Sequence, residues 1–194
     1  MKHYLNEGTP MKTLTKTMIL ALLITLAGCA KQDDSEQGRD KDQSRQRGDL
    51  HVAALQGNLS AIQQHIKANS DLNEKDAYGS SALTVAITFG KTQVAEALIH
   101  AGADLSITNN EGATPLHIAA FFCRAETVQA LLDSGADKAA RNKAGRTALD
   151  SVAGPFETAK GIYDSIGKGL KPLGLKLDYD RIRTTRPRIA AMLR

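Results

Sequence analysis

Gly79, Gly112 and Gly145 recur at intervals of 33 residues, and each is followed four positions later by a leucine: Leu83, Leu116 and Leu149. Asp71, Asp104 and Asp137 keep the same interval, so that Gly102-Ala103-Asp104 returns as Gly135-Ala136-Asp137. Leu98 and Leu131 form a third series, and Gly57, Gly90 and Cys123 a fourth, with a cysteine where glycine is expected. Several landmarks in one register require a chain built from stacked copies of one small unit. One such unit leaves an apolar face that it cannot bury alone, so neighbours must share a continuous core.

Composition says what fills that core. There are 4 Phe, 4 Tyr and no Trp in 194 residues, which leaves Ala, Leu, Ile and Val to pack closely spaced antiparallel helices. Gly90 is expected between two helices and Gly102 after the second, where left-handed backbone costs glycine little.

Thr114-Pro115-Leu116-His117-Ile118-Ala119 fits the T-P-L-H-x-A word at every fixed position. With the 33-residue period, it makes the chain resemble the ankyrin-repeat family. The resemblance implies an all-α solenoid whose units are a β-turn or hairpin loop followed by two helices. About four units are expected: 48–78, which lacks the TPLH word as an end unit can; 79–111; 112–144; and an irregular fourth beginning at 145–153.

Beyond Ala153 the register fails. Val94 follows Leu83 by 11 residues, whereas the corresponding look-alike, Ile189, follows Leu149 by 40. Two readings stay open. About 29 residues are inserted within the terminal repeat, which is the preferred one, or Phe156, Ile162, Tyr163 and Ile166 form a displaced capping helix. Both treat 154–194 as a basic insertion or cap and leave Gly167 to Pro187 irregular.

The N-terminus reads as an address. Lys12 and Lys16 precede an uncharged, mostly apolar run from Thr17 to Ala30, too short for an ordinary transmembrane helix. Its end, Leu26-Ala27-Gly28-Cys29, resembles the lipobox of bacterial lipoproteins. That resemblance implies a signal peptide over 1–28, acylation (palmitate among the chains) of Cys29 and a membrane anchor. Ala30 after the cysteine implies the outer membrane, facing the periplasm of a Gram-negative host. Met11 is a second candidate start. Residues 31–47 have no aliphatic or aromatic side chain and carry five basic and five acidic groups, so 29–47 reads as a polar tether.

Charge divides the rest. Residues 48–153 carry 8 basic and 11 acidic side chains, a net of −3, and residues 154–194 carry 9 and 4, a net of +5. The alternation of Arg181, Arg183, Arg186 and Arg188 with Ile182 and Thr184 could serve as a phosphate-binding strip.

No chemistry of catalysis emerges. The family resemblance gives His117 a structural role, bonding adjacent turns, and gives Thr114 a capping role. His51, His65 and His100 are assigned to other phases of the repeat, without metal-ligand spacing. Cys123 lies beside Arg124, which could lower its pKa, but no histidine is near in sequence. Gly161 to Gly169 departs from the phosphate-loop pattern in spacing and in the residue after the lysine. The chain is therefore expected to be no enzyme and to take no cofactor, metal or nucleic acid.

In the family, partners are bound through turn tips and the inner face of the first helix. Carried over, these positions are Lys75, Ala77, Tyr78, Ser80, Thr88 and Phe89 in the second unit. Thr108, Asn110, Glu111, Ala113, Phe121 and Phe122 are those of the third, and Arg141, Lys143, Ala144 and Arg146 those of the fourth. The expected protein is a monomeric, lipid-anchored module that binds another envelope protein through this concave face. The alternatives are a thiol-based redox regulator using Cys123, and tethering of anionic envelope surfaces by the basic segment.

Overall fold

The computed structural model describes residues 49–194. The expected signal peptide, Cys29 and the expected polar tether lie outside the described residues.

Eight α-helices and no strand occur among those residues: α1 (Leu50–Gln56), α2 (Leu59–Lys67), α3 (Ala82–Thr88), α4 (Thr92–His100), α5 (Pro115–Phe121), α6 (Ala125–Asp133), α7 (Phe156–Leu170) and α8 (Tyr179–Leu193). Two 3-10 turns, Leu149–Ser151 and Lys171–Leu173, join the last elements. Polar residues start many of these helices by accepting N–H groups that the first turn leaves unpaired. Asp49 accepts from His51 and Val52, Asn58 from Ala61, Ser81 from Thr84 and Asp178 from Arg181. At α5, Pro115 occupies the first position, where its missing N–H costs nothing.

The helices stack in two rows. α1, α3, α5 and the 3-10 turn at Leu149 form the first row; α2, α4, α6 and α8 form the second. The core between them is the small-residue core that the composition predicts: Ala54, Ala86, Ala95 and Ala119 are fully buried beside Leu83, Leu98, Leu116, Val128 and Leu131.

Each first helix closes through a left-handed residue, at Gly57 (φ 76°), Gly90 (φ 67°) and Cys123 (φ 53°). The amide after each reaches back to the helix: Asn58 to the Ala53 carbonyl at 2.9 Å, Lys91 to Ala86 at 2.8 Å and Arg124 to Ala119 at 2.9 Å. A cation of the next unit lies over each turn. Arg124 donates to the carbonyls of Ile87 (3.2 Å) and Thr88 (3.1 Å), and its guanidinium occupies the space a side chain on Gly90 would need. Lys91 stands in the same relation to Gly57. Over Cys123 the cation is Arg181, sent from α8, which donates to the Cys123 carbonyl at 3.2 Å.

The loops between units are hairpins held by one polar side chain each. Asp76 accepts the N–H groups of Tyr78 and Ser80, Asn109 those of Glu111 and Ala113, and Asn142 those of Ala144 and Arg146, all within 2.8–3.1 Å. Successive hairpins are tied through the backbone, from Asn110 to the Tyr78 carbonyl (3.3 Å) and from Lys143 to the Glu111 carbonyl (3.0 Å).

The end of the chain departs from expectation. The fourth unit's first helix shrinks to a 3-10 turn that still buries Ala148 and Val152. The chain then leaves as α7 and returns as α8, which takes the second-helix place beside α6 with Ile189 fully buried. Gly167 to Pro187 is mostly helical, and only 174–178 lack regular structure. α7 runs to Leu170, and α8 passes unbroken through Pro187. Ile182, Arg186, Ile189, Ala190 and Leu193 form a buried stripe at helical spacing, and its packing outweighs the ~3 kcal/mol an interior proline costs.

Candidate partner-binding face

Repetition of the hairpin backbone puts different side chains in equivalent places. Ala77, Asn110 and Lys143 share one tip position; Tyr78, Glu111 and Ala144 share the next. The backbone at each tip is held by the Asp or Asn at its base and by the neighbouring hairpin. Asn110, Lys143 and Ala144 are exposed and Glu111 is half-buried. Tyr78 is half-buried too, with its hydroxyl oxygen shielded and without a hydrogen-bond partner among the described residues.

Some expected contact residues are committed to the fold instead. Lys75 donates to the Thr108 carbonyl at 2.8 Å, and Arg141 to the Gly145 carbonyl at 2.6 Å. Arg146 is exposed, but its own carbonyl receives His117. The Asp104 N–H donates to the Asn73 side chain. The Ser106 hydroxyl and N–H, both bonded to the Asp104 carboxylate, hold its pKa below the usual value.

The phenylalanines divide. Phe89 remains half-buried at the end of α3. Phe122, its equivalent one repeat later, is buried and is a correction to the expected binding surface. Phe121 is half-buried and covered by the chain itself: its ring stacks on Tyr163 at 4.6 Å and meets Phe122 edge-on at 5.1 Å, and the Tyr163 hydroxyl donates to the Phe121 carbonyl. Phe156 extends the stack over Tyr163, Tyr179 tilts against Phe156, and Arg183 lies 4.8 Å above the Phe156 ring. Phe156 and Tyr163 lie on one helix, as the alternative to the preferred insertion had them. Their seat on Phe121 depends on how α7 folds back, which no local pattern encodes.

The arginine strip is divided: Arg186 is buried and Arg181 half-buried, whereas Arg183 and Arg188 stay exposed. Arg181 holds Cys123, and Arg183 pairs with Glu157 and Asp180 at 3.1 and 3.0 Å. Arg186 is buried, donating to Tyr163 and to the Gly154 carbonyl. A phosphate strip over these positions is therefore corrected: α8 turns Ile182, Arg186 and Ile189 inward as one helical face.

Cys123 is fully buried. Burial pushes its thiol pKa up, and Arg186, Arg181 and Arg124, though they pull the other way, do not offset it. The expected activation by Arg124 is thus overturned, because desolvation of the buried thiol outweighs the pull of that guanidinium. No group of three or more His, Cys, Asp or Glu among the described residues stands together as metal ligands would. No helix among them is long and apolar enough to cross a membrane.

The histidine assignment needs one correction. His51 is not at another phase: it and His117 occupy equivalent places, Thr84 stands between them in the series, and Asp150 follows. His51 meets the Ser80 carbonyl at 3.0 Å as His117 meets that of Arg146 at 2.9 Å. Thr84 bonds back to the Ser81 carbonyl, and Asp150 accepts from Thr147.

Residues 50–142 match the family model for ankyrin repeats (3 copies). No curated protein matches the chain.

Proposed function

We propose that the ankyrin-repeat array of residues 50–142 is a non-catalytic protein-binding module, carried on a lipid anchor at Cys29 in the bacterial cell envelope. Ankyrin repeats in general mediate protein–protein interaction, and the array here has the corresponding two rows of helices and hairpin tips. The observation that carries the reading is the tips themselves. Their backbone is fixed by Asp76, Asn109 and Asn142, while the side chains Tyr78, Asn110, Glu111 and Lys143 vary over one scaffold and contribute little to holding it. A rigid frame with variable, accessible side chains loses little entropy on binding. Phe89 supplies an apolar anchor beside them.

The anchor and its address rest on the sequence: a basic start, an apolar run, Leu26-Ala27-Gly28-Cys29 and then Ala30. Together they favour the outer membrane, facing the periplasm. Crosslinking in intact cells followed by mass spectrometry identifies the partner. Phe89→Ala combined with Glu111→Lys is expected to keep helicity and lose that crosslink. An unchanged crosslink to the same protein removes the tips and Phe89 as the binding surface.

One observation favours a second contact. Lys168, Lys171 and Lys176 are exposed at the turn after α7, make no ion pair among the described residues and have no acidic residue between them. An anionic membrane surface fits such a tip. Lys→Gln at all three positions is expected to reduce co-sedimentation with anionic vesicles. Equal sedimentation of variant and parent discards this contact.

A further inference from the structure

α7 is joined to the repeats in an unusual way. Of its 15 residues only Phe156 and Tyr163 are buried, against five in α8. Three of its residues, Gly161, Gly167 and Gly169, weaken a helix from within. Ile162 and Ile166 are only half-buried and do not join the main core. Its buried hold is Tyr163, stacked on Phe121 and bonded to the Phe121 carbonyl, with Phe156 beside it; its other ties, Glu157 to Arg183 and Asp164 to Tyr179, join it to α8 through exposed bonds.

Closure also carries a cost. Arg186 is 4% exposed; its guanidinium meets the Tyr163 hydroxyl at 3.2 Å and the Gly154 carbonyl at 3.0 Å, and among the described residues its Nε has no partner and no carboxylate pairs with it. Burying a cation without a counter-ion is unfavourable, so part of what the aromatic stack gains is given back. A segment with few buried contacts and an offsetting charge opens below the free energy of global unfolding.

We propose that α7 is a displaceable strap, which unwinds while the repeats remain folded and so bares Phe121, Phe122 and Cys123 at the end of α5. In the closed form these residues are withheld from any partner; in the open form the aromatic corner joins Phe89 as binding surface. The consequence for partners rests on the protein-binding reading above, whereas the opening itself does not.

Cys123 reports the motion, because it is fully buried beneath Tyr163 and is the one cysteine besides Cys29. The full chain carrying Cys29→Ser is treated with an excess of N-ethylmaleimide at increasing low urea, alongside unfolding followed by circular dichroism. Labelling is expected to be at least about tenfold faster than global unfolding allows, with little dependence on urea. Tyr163→Ala should speed it by a further tenfold or more, with labelling still at least about tenfold faster than the variant's own global unfolding allows. Gly161→Ala, at an exposed position where a methyl meets nothing within 4 Å, should slow it about three- to fivefold by favouring the helix. This variant decides the matter if Tyr163→Ala does not fold. Labelling that follows global unfolding in every variant overturns the strap and leaves the tips untouched as a binding surface.

Discussion

His51 and His117, two repeat lengths apart, each set Nε2 against a backbone carbonyl 29 residues further on. A carbonyl only accepts, so Nε2 carries the hydrogen in both rings. At His117 that leaves Nδ1 to accept from the Thr114 N–H at 3.3 Å and the Thr114 hydroxyl at 2.8 Å. One neutral imidazole thus closes the start of its own helix and pins the next hairpin.

His117→Ala is expected to destabilise the array by about 1–3 kcal/mol, since it leaves buried groups at Thr114 and Arg146 unpaired. His51→Ala should cost less, because His51 is only half-buried. Urea unfolding of the two variants checks the order, and equal losses would mean that burial does not set the scale.

Two glycines with nearly the same backbone should differ in tolerance. At Gly112 (φ 74°) a methyl would come within 2.8 Å of the Lys143 backbone nitrogen; at Gly145 (φ 72°) it would meet nothing within 4 Å. Gly145→Ala should cost about 1–2 kcal/mol for left-handed backbone alone. Gly112→Ala adds displacement of the neighbouring hairpin and should lower the thermal midpoint clearly more.

Cys123 holds a left-handed conformation that suits glycine. In an ordinary helix interior glycine is about 0.5–1 kcal/mol worse than alanine. Here Cys123→Gly should be at least as stable as Cys123→Ala, because relief at φ 53° compensates for the lost methyl. Chemical denaturation of both resolves the sign.

Asp104 ionises more readily in the folded chain, first through the Ser106 hydroxyl and then through the Ser106 N–H. A carboxylate with a lowered folded pKa contributes stability that is present above the unfolded value of 3.8 and lost as pH falls through the folded one. Carboxyl NMR titration should therefore place Asp104 below 3.8, and Ser106→Ala should move it back upward. No movement would assign the shift to some other group.

The repeat was legible because its physics is local. The left-handed turn positions, the Asp71, Asp104 and Asp137 loops, and Leu83 and Leu116 answer to bonds within one unit or between adjacent ones, so each leaves a residue at a constant interval. His51 was equally local, yet was misplaced because Thr84 interrupts its series and no TPLH word marks it. The candidate binding residues were legible only as positions. Tyr78 and Glu111 stand at the tips, but Phe122 is buried, and Phe121 lies beneath Tyr163 because a helix outside the register returns over it.

The sequence alone determined the period and the small-residue core, which follow from spacing and side-chain volume, and the two-helix unit followed from the family resemblance that the period and the TPLH word carry. The tertiary structure decided what the terminal segment does. α8 regains the second-helix row at Ile189, Arg181 covers the Cys123 turn as Arg124 covers Gly90, and α7 takes the aromatic corner that would otherwise face a partner. These contacts join residues 42 and 58 positions apart. At such separations side-chain shape and charge set the pairing, and no interval in the chain records it.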